Sequence, residues 1–237
     1  PDGGFALALA VNFNLSLSLH DATGAIDPDS VTSAILSGGV FADGGQTSNP
    51  VLEPLPDGGF VLLVSEDGGG RIAAGLYDAD LAPRRVGPDP RGEGLPPGVF
   101  PDGDGALLVA DPAADDPRAD VAVLPDGDYA VALAEDGAIR LHFGSSDGFV
   151  LSGDVVVGST DPGAADTAPR ILTLGDRNLL VTWTTGEGDV LARFVTGSTP
   201  EGEAFAIADG PERERQPTSA LLSDDRVVHV WQDAATP

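Results

Sequence analysis

LPDGGFVLLVSEDGGGRIAAGLYDADL (Leu55–Leu81) is the stretch that decides the fold, because its opening phrase returns along the chain. Related phrases are PDGGFALALA from Pro1, LPDGDYAVALAEDG from Leu124 and LSDDRVVHVWQD from Leu222. In each phrase an acidic turn precedes a short apolar segment, and Asp and Gly tolerate the positive φ angles that hairpin turns require. The repeated phrase therefore predicts a hairpin turn that leads into a β-strand.

A proline precedes the first strand of each unit and sets the spacing of the repeat. These prolines are Pro50, Pro117, Pro169 and Pro217, which recur at roughly 50-residue intervals, the spacing of a repeated supersecondary unit. The longest interval contains a Pro/Gly-rich insertion at residues 84–100 that has no counterpart in the other units.

The second strand of each unit is apolar on both faces. These strands are predicted at Phe5–Leu9, Phe60–Val64, Tyr129–Leu133, Leu179–Trp183 and Val227–Trp231. A strand that is apolar on both faces belongs to a sheet packed between two others. A radial stack of four-stranded sheets meets this condition.

The predicted fold class is therefore all-β, a β-propeller of four-stranded antiparallel blades with about five degenerate repeats of roughly 50 residues. A single propeller is expected to occupy residues 1–237. The approximate repeats are 1–49, 50–116 with the insertion at 84–100, 117–168, 169–216 and a truncated 217–237. Because the repeat begins and stops in mid-unit, we expect these residues to be a segment of a longer chain.

The charge excludes some partners. Asp and Glu number 38 against 12 basic residues, all of them Arg, which gives a net charge of −26. Such a surface repels nucleic acid, since binding to phosphates needs clustered cations. No stretch reaches the roughly 18 apolar residues of a membrane-spanning helix, so membrane insertion is not expected. The apolar fraction of 41% is too high for a disordered chain.

The units resemble a tandem repeat, LxDGGFVVTW…RYDxxG, found in large secreted, RTX-type or adhesin-like bacterial surface proteins. LPDGGFVLLV (Leu55–Val64) and AAGLYDADLAP (Ala73–Pro83) match the two halves of that pattern, and NLLVTW (Asn178–Trp183) matches its strand-ending Trp. The resemblance implies propeller-like blades, an extracellular or cell-surface location and an association with calcium. The glycine- and aspartate-rich calcium-binding nonapeptide of RTX proteins is absent from this sequence, so the resemblance assigns calcium to no particular residue.

Two groups of residues are candidates for binding. Asp102 and Asp104 lie two apart on a glycine turn, where carboxylates can present oxygens to Ca²⁺; no other cofactor is expected. Arg84, Arg85 and Arg91 concentrate positive charge in the insertion, which makes it a candidate binding loop for an acidic ligand or for self-association.

Catalytic motifs are not evident in the sequence. His20, His142 and His229 occupy repeat positions that are apolar or aromatic in other units, which favours packing roles. The paired aspartates are interpreted as hairpin-turn residues that set backbone geometry. No phosphate-binding loop, nucleophile elbow or dinucleotide fingerprint occurs, and no catalytic residue is predicted.

The predicted function is a non-catalytic structural or binding module of a larger extracellular or cell-surface bacterial protein. Its loops would bind protein or glycan at the blade rims, or other parts of the same long chain. One alternative is a propeller-fold hydrolase or lyase acting on polysaccharide, and another is a subunit of a surface layer, filament or phage-like assembly. An enzyme would gather Asp, Glu, Arg or His at its inner strands, whereas inner strands of Ala, Val and Leu would exclude it.

Overall fold

The computed structural model describes residues 4–11, 14–28, 32–33, 46–67, 72–82, 84, 106–110, 118–146, 150–159 and 169–234. Regular structure in these ranges consists of β-strands. None of the described residues belongs to a helix that is long and apolar enough to cross a membrane.

Five antiparallel sheets follow one another along the chain, and we call them blades 1 to 5. Blade 1 contains β1 (Phe5–Val11), β2 (Asn14–His20) and β3 (Thr32–Ser33). Blade 2 contains β4 (Gln46–Pro54), β5 (Phe60–Asp67), β6 (Ile72–Tyr77) and β7 (Ala106–Ala110). Blade 3 contains β8 (Ala119–Val123), β9 (Tyr129–Glu135), β10 (Ala138–Gly144) and β11 (Val150–Ser159).

Blade 4 contains β12 (Arg170–Gly175), β13 (Asn178–Thr184), β14 (Val190–Thr196), β15 (Thr199–Pro200) and β16 (Phe205–Ala208). Blade 5 contains β17 (Arg213–Leu221) and β18 (Val227–Ala234). Strands in blades 2 and 3 pair in chain order, each with the next. The predicted all-β propeller architecture is confirmed, although the five sheets do not close into a ring in the described part of the chain.

The acidic phrase forms the predicted hairpin turn. Gly58 has a φ of 89°, in the left-handed region that favours glycine, and the Asp57 side chain accepts a hydrogen bond from the Gly59 amide at 3.0 Å. Blade 3 repeats this geometry, with Gly127 at a φ of 91° and Asp126 bonded to the Asp128 amide. In blades 2 and 3 these turns connect the first strand to the second.

The first strands of successive blades lie side by side around the propeller axis. β4 contacts β8, β8 contacts β12, and β12 contacts β17. These four strands are therefore the inner strands of their blades, and a side chain on one of them lies close to the next blade.

The blades pack on one another through both faces of their second strands. We call the front face the one that bears the first, third and fifth residues of the strand, which in β9 are Tyr129, Val131 and Leu133; Ala130 and Ala132 lie on the back face. The front faces of blades 2, 3 and 4 each lie against the back face of the preceding blade. Burying a Leu, Val or Phe side chain contributes about 1.5–3 kcal/mol, so these contacts are the main source of stability.

A bulky residue in blade 4 is matched by a glycine in blade 3. Trp183 is fully buried between the two blades. A Cβ atom added at Gly158 of β11 would lie inside van der Waals contact with the Trp183 ring, at 2.8 Å from Cη2. Gly158 therefore leaves the space that the indole ring fills.

We expect Gly158→Ala to lower the free energy of unfolding by about 1–3 kcal/mol, the cost of overpacking a core. The cost should fall by at least half in a Trp183→Leu background, because leucine lacks the ring atoms that the new methyl group would strike. Urea denaturation of the two single variants and the double variant measures this coupling. Additive changes in the free energy of unfolding would show that the residue 158 side chain does not contact the residue 183 ring.

Candidate functional site

The guanidinium group of Arg84 pairs with the turn of its own blade. Its Nη1 and Nη2 atoms lie 2.8 and 2.9 Å from the two carboxylate oxygens of Asp57. The hydrogen bond from Arg84 is the main reason that the pKa of Asp57 lies below its usual range. Arg84, a candidate for the binding loop, is thus engaged by the turn, while Arg85 and Arg91 lie outside the described residues.

Gly59 provides the space for this ion pair. A Cβ atom at Gly59 would overlap the Arg84 guanidinium, whose Cζ atom would be 2.8 Å away, and the Tyr77 carbonyl oxygen. In the repeated phrase the two glycines therefore serve different purposes, Gly58 for its φ angle and Gly59 for its missing side chain.

An arginine of blade 4 holds the corresponding turn of blade 3. Arg177 pairs with Asp126 at 2.5 Å and also donates a hydrogen bond to Asp128. Arg177 lies in the β12–β13 turn of blade 4, at a φ of 70°. The contact joins the turns of neighbouring blades at one rim of the propeller.

Three successive inner strands each place a charged residue on the side that faces the next blade. Glu53 lies on β4 between Val51 and Leu55, which both pack in the interface between blades 2 and 3. Strand alternation puts the Glu53 side chain on that same face. Its carboxyl group is partly buried, and desolvation, followed by the negative charge of Asp120, raises its pKa above the usual value.

Asp120 occupies the first half of β8 and faces blade 4. Its Oδ2 atom accepts a hydrogen bond of 3.0 Å from the Ile171 amide of β12. Burial raises the pKa of Asp120, while the Ile171 hydrogen bond and the charge of Arg170 act in the opposite direction. Thr173 adds a second link between these strands by donating to the Val123 carbonyl oxygen at 3.1 Å.

The inner strands therefore carry an electrostatic series of Glu53, Asp120 and Arg170, which we call the inner charge series. The charge of Asp120 acts on Glu53, and the charge of Arg170 acts on Asp120. An inner-strand lining of Ala, Val and Leu would exclude an enzyme, but Glu53, Asp120 and Arg170 lie on these strands. Two neighbouring carboxylates with raised pKa values are suited to acid–base chemistry.

Sequence reasoning missed Glu53 and Asp120 because it assigned the notable carboxylates to hairpin turns. Both residues lie in strands, in VLEP and ADVAV. A charged residue inside a short apolar strand is costly unless it is compensated, and this feature could have identified them.

The three histidines interact with neighbours in their own sheets. The ring of His229 is partly buried, which lowers its pKa. Within the described residues no group of three or more His, Asp or Glu side chains is placed to hold a metal ion. The candidate calcium ligands Asp102 and Asp104 lie outside those residues, so calcium binding stays a prediction. The histidine contacts mentioned above are those of His20 with Phe5 and Ser18, of His142 with Glu135, and of His229 with Ser219.

Solved structures share this architecture along nearly the whole chain. A protein from Bifidobacterium bifidum s17 that is assigned as an exo-β-1,3-galactanase has 13% sequence identity and a TM-score of 0.55, with 99% of this chain and 85% of that chain covered. A GH43 β-1,3-galactosidase with galactodeoxynojirimycin has 10% identity and a TM-score of 0.53, with 98% and 88% covered. An exo-β-1,3-galactanase from Clostridium thermocellum has 10% identity and a TM-score of 0.52, with 97% and 52% covered.

At these identities the similarity shows the β-propeller fold. No protein-family model and no curated protein sequence matches the chain.

The prediction of a non-catalytic module, and of a chain that is not an enzyme, is wrong. The three structural neighbours described above are named as galactan- or galactoside-cleaving enzymes, and they favour the alternative of a propeller-fold hydrolase. The prediction failed because every paired carboxylate was interpreted as a turn residue. The inner charge series was therefore not recognised. The predicted extracellular location and the resemblance to RTX-type surface repeats stay predictions.

We expect Glu53→Gln to raise the melting temperature at pH 8 by about 2 °C, the scale of a fraction of 1 kcal/mol in a domain of this length. A carboxyl group whose pKa is raised by folding binds a proton more readily in the folded state, so it costs stability as the pH rises through that pKa. Glutamine cannot ionise, so the gain should disappear at pH 4.

Thermal melts at both pH values, with the exposed Glu203→Gln as a control, measure the effect. An equal shift at pH 4 and pH 8 would contradict a raised pKa at Glu53.

Proposed function

We propose that this chain is a propeller-fold glycoside hydrolase that acts on a polysaccharide, with Glu53 as its proton donor. The observation that carries the proposal is the placement of two partly buried carboxylates, Glu53 and Asp120, on the neighbouring inner strands β4 and β8, which contact each other. The fold shared with galactan-cleaving and galactoside-cleaving enzymes supports the same reaction class.

Hydrolysis of a glycosidic bond needs a carboxylic acid that keeps its proton near neutral pH and gives it to the leaving oxygen. Partial burial and a nearby negative charge are two physical means of raising the pKa of such a group. Glu53 has both, with desolvation as the larger effect and the Asp120 charge as the smaller one.

Asp120 is placed to act as a charge partner for Glu53. The amide of Ile171 fixes one of its oxygens, and Arg170 favours its ionised form. An ionised Asp120 raises the pKa of Glu53, and burial raises the pKa of Asp120 itself, so both carboxyl groups hold a proton more readily than an exposed carboxyl group does.

The substrate we propose is a neutral glycan. A chain with a net charge of −26 repels polyanionic polysaccharides at low ionic strength. Neutral β-linked galactans, which the names of the neighbouring enzymes specify, meet this condition.

The first test is the release of reducing sugar from β-1,3-galactan and from short β-1,3-linked galacto-oligosaccharides. Glu53→Gln should lower kcat by about 100-fold or more, since a general acid contributes 10²–10⁴-fold. Glu203→Gln, which removes an exposed carboxylate in blade 4, should retain the wild-type rate. A folded wild-type protein that releases no sugar from a panel of neutral polysaccharides would refute the proposal, as would full activity in Glu53→Gln.

The second test is the pH dependence of kcat in Asp120→Asn. Asparagine can still accept the Ile171 hydrogen bond but carries no charge, so it should lower the pKa of Glu53. Activity requires protonated Glu53, and the rate decline at high pH should therefore begin at a lower pH than in the wild type. An unchanged profile would show that Asp120 does not set the pKa of the proton donor.

A further inference from the structure

Two residues with a strained backbone lie inside strands rather than in turns. Asn49 of β4 has a φ of 48° and Gln216 of β17 has a φ of 50°, in the left-handed region that residues other than glycine rarely occupy. Both directly precede a proline, and a residue in that place favours extended backbone. The other described residues with a positive φ that are not glycine lie between strands, and they are Leu81, Asp136, Asp176, Arg177 and Asp225. The strain at Asn49 and Gln216 therefore has a source other than turn geometry.

Each strained residue belongs to a β-bulge between the first and second strands of its blade. In blade 2, Asn49 and Pro50 together oppose a single residue of β5, and in blade 5, Gln216 and Pro217 together oppose a single residue of β18. Bulges occur often next to active sites, where they change the direction of a side chain. The same local device is therefore present at the same position of two inner strands.

Blade 3 shows that the stacking of blades does not require this bulge. Its strands β8 and β9 pair without a register shift from Ala119 to Val123. Ala119 pairs with Leu133, which aligns with Val64 and Trp231, the residues that the two bulges oppose. A strained conformation costs stability, so strain that the fold does not need favours a functional role.

The bulges lie at the end of the inner strands where Asp120 and Arg170 lie. The residue that follows each bulge has the same pairing position in its blade as Asp120 and Arg170 have in blades 3 and 4. The strands β4, β8, β12 and β17 contact one another in that order, so the two bulges lie on either side of Asp120 and Arg170. Glu53 lies further along the same strand as Asn49. The strained residues thus flank the inner charge series.

The chemistry of both side chains suits a sugar. Asn49 and Gln216 are exposed and carry neutral amides. An amide donates hydrogen bonds through its NH₂ group and accepts them through its oxygen, and a sugar hydroxyl group can both accept and donate in return. Neutral groups of this kind bind a neutral glycan without the cost of desolvating a formal charge.

We propose that Asn49 and Gln216 bind hydroxyl groups of the glycan substrate at the end of the inner strands where Asp120 and Arg170 lie. The inference rests on the proposed function, because it assigns the two amides to the substrate of the same site. The bulge fixes the backbone that carries each amide, and a fixed group loses less conformational freedom on binding. Binding then depends on the amides, while the chemical step belongs to Glu53.

Titration calorimetry with a β-1,3-linked galactotetraose tests this role, in a Glu53→Gln background that slows hydrolysis. Asn49→Gly and Gln216→Gly should each weaken binding by about 5-fold or more, the scale of one lost hydrogen bond. Glycine adopts a positive φ without strain, so each of these variants should also raise the melting temperature by about 2 °C. A loss of affinity together with a gain in stability is expected of strain that is retained for binding.

The matched control is Asp225→Gly, at a φ of 63° in the hairpin turn at the other end of β17. It should raise the melting temperature in the same way and leave the affinity for the tetrasaccharide unchanged. Gln216→Asn keeps an amide on a residue that tolerates a positive φ, so it should retain more affinity than Gln216→Gly.

The outcomes separate this inference from the proposed function. Unchanged affinity in both glycine variants, an equal loss in Asp225→Gly, or no binding of the tetrasaccharide at all would overturn the role of the amides. Hydrolysis that depends on Glu53 but not on the amides would overturn the inference and leave the proposed reaction in place. Binding that depends on the amides, in a protein that cleaves no glycan, would support the inference and refute the reaction.

Discussion

The stacking of one apolar sheet face on another is the constraint on which the rest of this structure depends. Each second strand is apolar on both faces, so it is stable only between two neighbours. Blades 2, 3 and 4 satisfy this requirement through three buried clusters, one at each interface from blade 1 to blade 4. The requirement also brings the first strands of successive blades side by side, and this contact creates the inner charge series.

The abundant carboxylates fall into two physical classes. Those at the rim, such as Asp57 and Asp126, accept amide hydrogen bonds within their turns and pair with arginines, so they set backbone geometry. Glu53 and Asp120 lie in strands, where burial raises the pKa of each. The same side-chain chemistry thus serves folding at the rim and supports the proposed acid–base chemistry at the inner strands.

The sequence predicted the repeated parts of the molecule and missed the part that depends on neighbouring blades. Local patterns predicted the second strands and the Gly58 and Gly127 turns, because alternation and turn chemistry act within a few residues. The charge interaction of Glu53 with Asp120 joins residues from two units, and no local pattern encodes which inner strands meet. Functional prediction failed for the same reason, since the inner strands were judged without their neighbours.

Gly158 and Trp183 show that the copies of this repeat are not equivalent. A large ring in one blade requires an absent side chain in the blade before it, so the two positions fit each other as a pair. Arg177 adds a second dependence of this kind, because its partners lie in the turn of blade 3. The order of the blades along the polypeptide is therefore part of the folding information, and exchanging two blades would separate partners that fit only each other.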